Sequence, residues 1–114
     1  KIDYAVNLAI VNGSSASSGV AALSNKGIAT FHGDDTTLAL KIVAAEAGIN
    51  ASDSAANGQL AVFLHGSDSY VFISDGTDGV DSADTLIKLV GVDVSTSDFD
   101  TVTLQSSGAT MTIA

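Results

Sequence analysis

The sequence predicts a mainly β domain of the α+β class: short antiparallel strands with one packed α-helix at about residues 35–47. Three observations predict it. Several short runs alternate apolar and polar residues with period 2, the spacing of a half-buried strand. A single run, Leu38-Ile42-Ala45-Ile49, repeats at i, i+4, i+7 and i+11, as one face of a helix does. Clusters of Gly, Ser, Asn and Asp separate these runs and supply turns.

The first strand is predicted over residues 2–12, where Ile2, Tyr4, Val6, Leu8 and Ile10 share one side. A Ser/Gly run from Gly13 to Gly19 follows as a loop, then a short apolar piece, a turn at Asn25-Lys26-Gly27 and a strand Ile28–Phe31. The helix is predicted from Thr36 to Ala47. Gly33-Asp34-Asp35 places an Asp at its N-cap, where a carboxylate accepts orphan N–H groups and meets the positive end of the helix dipole. Gly48 is expected to terminate it. Leu40, Val43, Ala44 and Ala47 lie opposite the stripe, so the helix is apolar nearly all round. Such a helix is expected to be sandwiched or to pack against a neighbour.

Residues 50–59 read as a small-residue loop. Leu60–His65 and Tyr70–Ser74 read as a hairpin joined by Gly66-Ser67-Asp68-Ser69. An acidic loop, Asp75–Asp84, leads to a strand Thr85–Val92, with Lys88 facing away from Ile87 and Leu89. After a turn-rich connection from Asp93 to Asp100 come a strand Thr101–Leu104 and a tail, Ala109–Ile113, expected at a sheet edge. Leu60, Val62, Phe63, Tyr70, Phe72, Ile87 and Leu89 are the expected sheet core, with Leu38, Ile42 and Ile49 packing the helix onto it.

Composition bounds the function. The 114 residues suit one domain, expected to be part of a longer chain because it begins at Lys1. Thirteen acidic residues against four lysines and no arginine give a net charge of −9. That charge leaves no cationic footprint for nucleic acid and is repelled by an anionic membrane surface. No apolar run approaches the ~20 residues of a membrane span. With no cysteine, disulfides, thiolate metal sites and cysteine nucleophiles are excluded.

The acidic loop is the strongest local feature. Asp75, Asp78, Asp81 and Asp84 recur every third residue, with Gly76 and Gly79 between them. Several carboxylates on a compliant, glycine-permitted backbone suit Ca²⁺, a hard cation that takes oxygen ligands. The spacing departs from the EF-hand loop, and the alternative is a solvated acidic turn. His32 and His65 each sit where a strand meets a turn, with Asp34 and Asp68 nearby, which fits turn formation better than metal or acid–base chemistry. Gly66-Ser67-Asp68-Ser69-Tyr70 lacks the second glycine of a nucleophile elbow, and no phosphate-binding glycine loop occurs. The chain is therefore expected not to be an enzyme. A hydrolase would need His32 or His65, a buried Asp and an exposed Ser joined in one pocket.

The segments Leu60–Gly76 and Asp84–Val92, reading LAVFLHGSDSYVFISDG and DTLIKLVGV, resemble the C-terminal region of hemolysin-type (RTX) bacterial proteins exported by type I secretion, adhesins and S-layer proteins among them. Asp34–Lys41 and the Asp98-Phe99 pair are similar to that region too, so the likeness covers residues 28–104. It implies a secreted, non-catalytic, Ca²⁺-responsive structural or interaction module at the bacterial cell surface. Its implied partners are Ca²⁺, neighbouring domains of its parent chain, other copies of itself and the type I exporter. The G-G-x-G-x-D-x-U-x nonapeptide of that family is missing from this chain, and the family's repeats are expected upstream of Lys1. An acidic chain would stay soluble in low-Ca²⁺ cytosol and fold outside the cell. The alternative expectation is a self-assembling subunit of an extracellular filament or S-layer, burying its apolar helix and terminal strands against a neighbour.

Overall fold

The computed structural model describes residues 2–3, 8–11, 13–52, 56–94, 99–105 and 108–113. Its elements are β1 (Ile2–Asp3), β2 (Ala9–Ile10), β3 (Ala22–Leu23), β4 (Ala29–Thr30), α1 (Leu38–Ser52), β5 (Gln59–His65), β6 (Asp68–Ile73), β7 (Thr85–Leu89), β8 (Phe99–Gln105) and β9 (Gly108–Ile113). Among the described residues short strands dominate and there is a single helix, so the mainly β, α+β class holds.

The central sheet has the order β2-β5-β6-β7. Its heart is the β5–β6 hairpin, closed by Gly66-Ser67 and registered Leu60↔Ile73, Ala61↔Phe72, Val62↔Val71 and Phe63↔Tyr70. β7 adds antiparallel to β6, with Phe72↔Leu86 and Tyr70↔Lys88. The far edge is parallel instead. β2 pairs with the start of β5 (Ala9↔Gln59, Ile10↔Leu60), and Ile28 bridges to Val62 further along the same edge. Val62 N–H donates to Gly27 O there, at 2.8 Å. Purely antiparallel pairing is the expectation departed from here, because α1 carries the chain back in the direction from which it came.

A run of alternating residues that would be half-buried in a two-layer protein is buried on both faces in β5 and β6. Ala61, Phe63, Tyr70 and Phe72 face α1, where they meet Ala44, Ala45 and Ile49 together with Ala21, Leu23 and Ala29. Leu60, Val62, Val71 and Ile73 face the other way, against Leu8 and Val94, with Ile10, Ile28, Ile87 and Leu89 half-buried around them. All seven expected sheet-core residues lie in these two layers. Phe63 stacks on Tyr70 with centroids 5.7 Å apart and makes a T-shaped contact with Phe31 at 5.2 Å.

The helix differs from expectation at both ends. It starts at Leu38 and ends at Ser52. Its cap is Thr37, whose Oγ1 accepts the Leu40 N–H at 3.2 Å. Asp35 is drawn elsewhere: it is buried, and both its carboxylate oxygens accept the Gly19 N–H at 3.0 and 3.2 Å, pinning the loop before β3. Gly48 lies inside the helix and terminates nothing. A Cβ there would stand 2.5 Å from the Ala21 carbonyl oxygen. Glycine thus allows the backbone at Ala21, whose N–H donates to Ala44 O, to lie against α1. The outer face keeps Leu40 and Val43 exposed.

β1, β9 and β8 form a separate antiparallel sheet with β9 in the middle, so the C-terminal strand is not at an edge among the described residues. The strand expected over residues 2–12 is divided between two sheets, with β1 in this one and β2 in the central one. Residues 4–7 and 12 of that expectation, and Asp98, lie outside the described residues. β7 ends at Leu89. The chain then turns back through hydrogen bonds from Gly91 N–H to Asp68 Oδ1 (2.8 Å) and from Val94 N–H to the buried Ser69 Oγ (3.0 Å). The Gly91 bond, with help from Lys88 at 3.3 Å, holds the Asp68 carboxyl below its ordinary pKa.

Candidate metal centre

The ladder between β6 and β7 begins at Ile73↔Thr85. Ser74 still bonds Gly58 and Gln59, so everything from Asp75 to Asp84 must leave the sheet and return to almost the same point. This closure brings the ends of the acidic loop together. Asp84 staples it, with Oδ1 accepting the Asp75 N–H at 3.0 Å and Oδ2 accepting the Asp81 N–H at 2.9 Å. Two smaller turns sit within the loop: Asp75 Oδ1 accepts the Thr77 N–H at 2.8 Å, and Asp81 Oδ1 accepts the Ala83 N–H at 2.7 Å. Gly76 takes a φ of 95°, in the left-handed region, and a Cβ on it would come within 2.8 Å of Asn57 N. A side chain at position 76 would be strained and would push the loop off the β5 approach.

Carboxylate oxygens of Asp75, Asp81 and Asp84 all lie within 4.8 Å of one another. Oxygen ligands at 2.3–2.6 Å from a Ca²⁺ ion are separated by about this distance or less. The backbone N–H bonds occupy one lone pair per oxygen and leave others for a cation. The donor set is therefore of the right chemistry and spacing for a hard divalent ion. Asp78, the fourth expected ligand, is exposed and stands apart from this group. It sits near the tip of the loop, whereas the other three occupy the closure and the turn folded onto it.

The charges of this loop reach a buried acid on the helix. Glu46 of α1 is 2% exposed. Its Oε1 accepts from Asn50 Nδ2 at 3.4 Å, and its Oε2 has no hydrogen-bond partner among the described residues. The carboxyl is pushed up from 4.5 to about 7. Burial is the main cause and the negative charge of Asp84 the next, with Asp75 adding a little; the neighbouring Ser74 hydroxyl and Asn50 amide offset part of the rise. An acid on the buried side of a helix, facing other acids, is the opposite of what stability alone selects. The sequence did carry a trace of it, since Glu46 is the only glutamate and lies in an Ala44-Ala45-Glu46-Ala47 setting.

The histidines do not converge with the acids. His32 is exposed, and its Nδ1 accepts the Asp34 N–H at 3.2 Å. It lines an open depression with Thr30, Phe31, Gly33, Asp35, Thr36 and Lys41, where serine is not among the lining residues. His65 ends β5, tilted against the Tyr70 ring at 6.5 Å. No helix among the described residues is long and apolar enough to cross a membrane. Comparison with protein-family models, with curated proteins and with solved structures finds no match.

Proposed function

We propose that this chain is a non-catalytic, Ca²⁺-responsive structural module of an RTX-like protein exported by type I secretion to the bacterial surface. One observation carries the calcium half of this reading. Three loop carboxylates, Asp75, Asp81 and Asp84, converge within 4.8 Å over a buried fourth, Glu46. Clustered like charges repel one another, and a divalent cation turns that repulsion into attraction. The secreted half rests on the resemblance of residues 28–104 and on the charge of −9. Export unfolded through a low-Ca²⁺ compartment and folding outside would give the acidic loop its purpose.

Calorimetric titration with CaCl₂, followed by circular dichroism melting, tests the reading. Saturable heat and a raised Tm are expected, and D81N should remove both. A chain that gives neither at millimolar Ca²⁺ sinks the proposal.

A second reading, self-assembly into a filament or S-layer, draws on the exposure of Leu40 and Val43 on the outer face of α1. Light scattering over a concentration series separates the two: a monomer at high concentration with Ca²⁺ present counts against assembly.

A further inference from the structure

We propose that Glu46 is the buried, water-linked member of the cation centre, so that a bound Ca²⁺ ties helix α1 to the β6–β7 loop. This inference rests on the calcium reading and deepens it, since the loop aspartates could hold an ion without any help from the helix.

The geometry carries it in three steps. First, Glu46 is buried, and while Oε1 accepts from Asn50, Oε2 has no hydrogen-bond partner among the described residues. A buried acceptor left unsatisfied costs about 1–3 kcal/mol, and more when charged. Second, the nearby charges are of its own sign. Asp84 and Asp75 both act on it, whereas Lys88 pairs with Asp68, and Lys41 reaches Leu64 O and the Phe31 ring. Lys26 is exposed in the turn between β3 and β4. No lysine among those described answers Glu46, and a divalent ion would answer it and the aspartates together. Third, Ca²⁺ takes 6–8 oxygens and commonly fills part of that shell with water. Glu46 is not among the three residues whose oxygens converge within 4.8 Å, so it would act through a shell water and not as a direct ligand. Outer-shell partners of this kind orient the ligand set and change affinity without touching the ion.

Because Glu46 is the only glutamate, labelling glutamate carboxyl carbons with ¹³C gives a single resonance that reports on this group alone. In a CaCl₂ titration that resonance is expected to move with the same midpoint as the calorimetric heat. Glu46→Gln should bind Ca²⁺ ~10-fold or more weakly while still giving saturable heat. Saturable heat with an unmoved Glu46 resonance, and with E46Q binding as tightly as the unaltered chain, would show that the aspartates act alone and would overturn the inference. Absence of heat from the unaltered chain would instead remove the calcium reading itself, and this inference with it. Should E46Q fail to fold, the resonance of the unaltered chain still decides.

Discussion

A carboxyl raised to about 7 makes Glu46 a residue whose proton matters to folding. In the unfolded chain it loses that proton near its ordinary value of 4.5; in the folded chain it keeps it until about pH 7. Between those values the folded state binds more protons than the unfolded one, so stability falls as pH rises. The contribution is fully present below pH 4.5 and is lost by the time pH passes 7. Its size is on the order of 3 kcal/mol. E46Q, neutral at every pH, should flatten this part of the profile. Without Ca²⁺, urea unfolding at pH 5 and pH 8 should show the unaltered chain losing more stability than E46Q across that interval. Equal losses in the two proteins would mean that Glu46 titrates normally.

At the scale of elements, what the sequence made legible was what local periodicity can encode. The β5–β6 hairpin announced itself because Leu60 to Phe63 and Tyr70 to Ile73 are strand formers on either side of a Gly-Ser turn. The helix stripe of Leu38, Ile42, Ala45 and Ile49 faces the core as its spacing implies. Both ends of the helix, however, are decided by residues far away in sequence. Asp35 bonds Gly19 and leaves the cap to Thr37, and Gly48 serves the backbone of Ala21. The same holds at the acidic loop. Three of the four aspartates come together because β6 and β7 close the loop, and Glu46 feels their charge only through the packing of α1, which no spacing rule reports. Gly48 gives this a measurable form. Replacing a helical glycine by alanine usually adds up to about 1 kcal/mol of stability. Here the methyl would collide with a backbone carbonyl that cannot rotate away. Gly48→Ala is therefore expected to destabilise by ~1–3 kcal/mol, read as a lower urea midpoint at unchanged m-value. A stabilised variant would show that the Ala21 segment yields freely.

For the whole molecule the governing quantities are two apolar layers and a charge of −9. The layers on either side of β5 and β6 supply cohesion, while the net charge opposes compaction by self-repulsion. Monovalent salt weakens that repulsion by screening, since the Debye length shrinks from about 30 Å at 0.01 M to about 10 Å at 0.1 M. NaCl should therefore raise Tm gradually, with no saturation at low millimolar concentrations. A cation held by Asp75, Asp81 and Asp84 acts differently. Its stabilisation follows site occupancy, reaching about 2.7 kcal/mol when free Ca²⁺ is 100 times its dissociation constant. Comparing CaCl₂ with NaCl at matched ionic strength separates the two effects. The unaltered chain should show an extra, saturable rise in Tm with Ca²⁺, and D81N should keep the NaCl response while losing that increment. The two salts would be interchangeable in the unaltered chain only if its carboxylates acted as a diffuse surface charge, and that result would leave the loop a solvated turn.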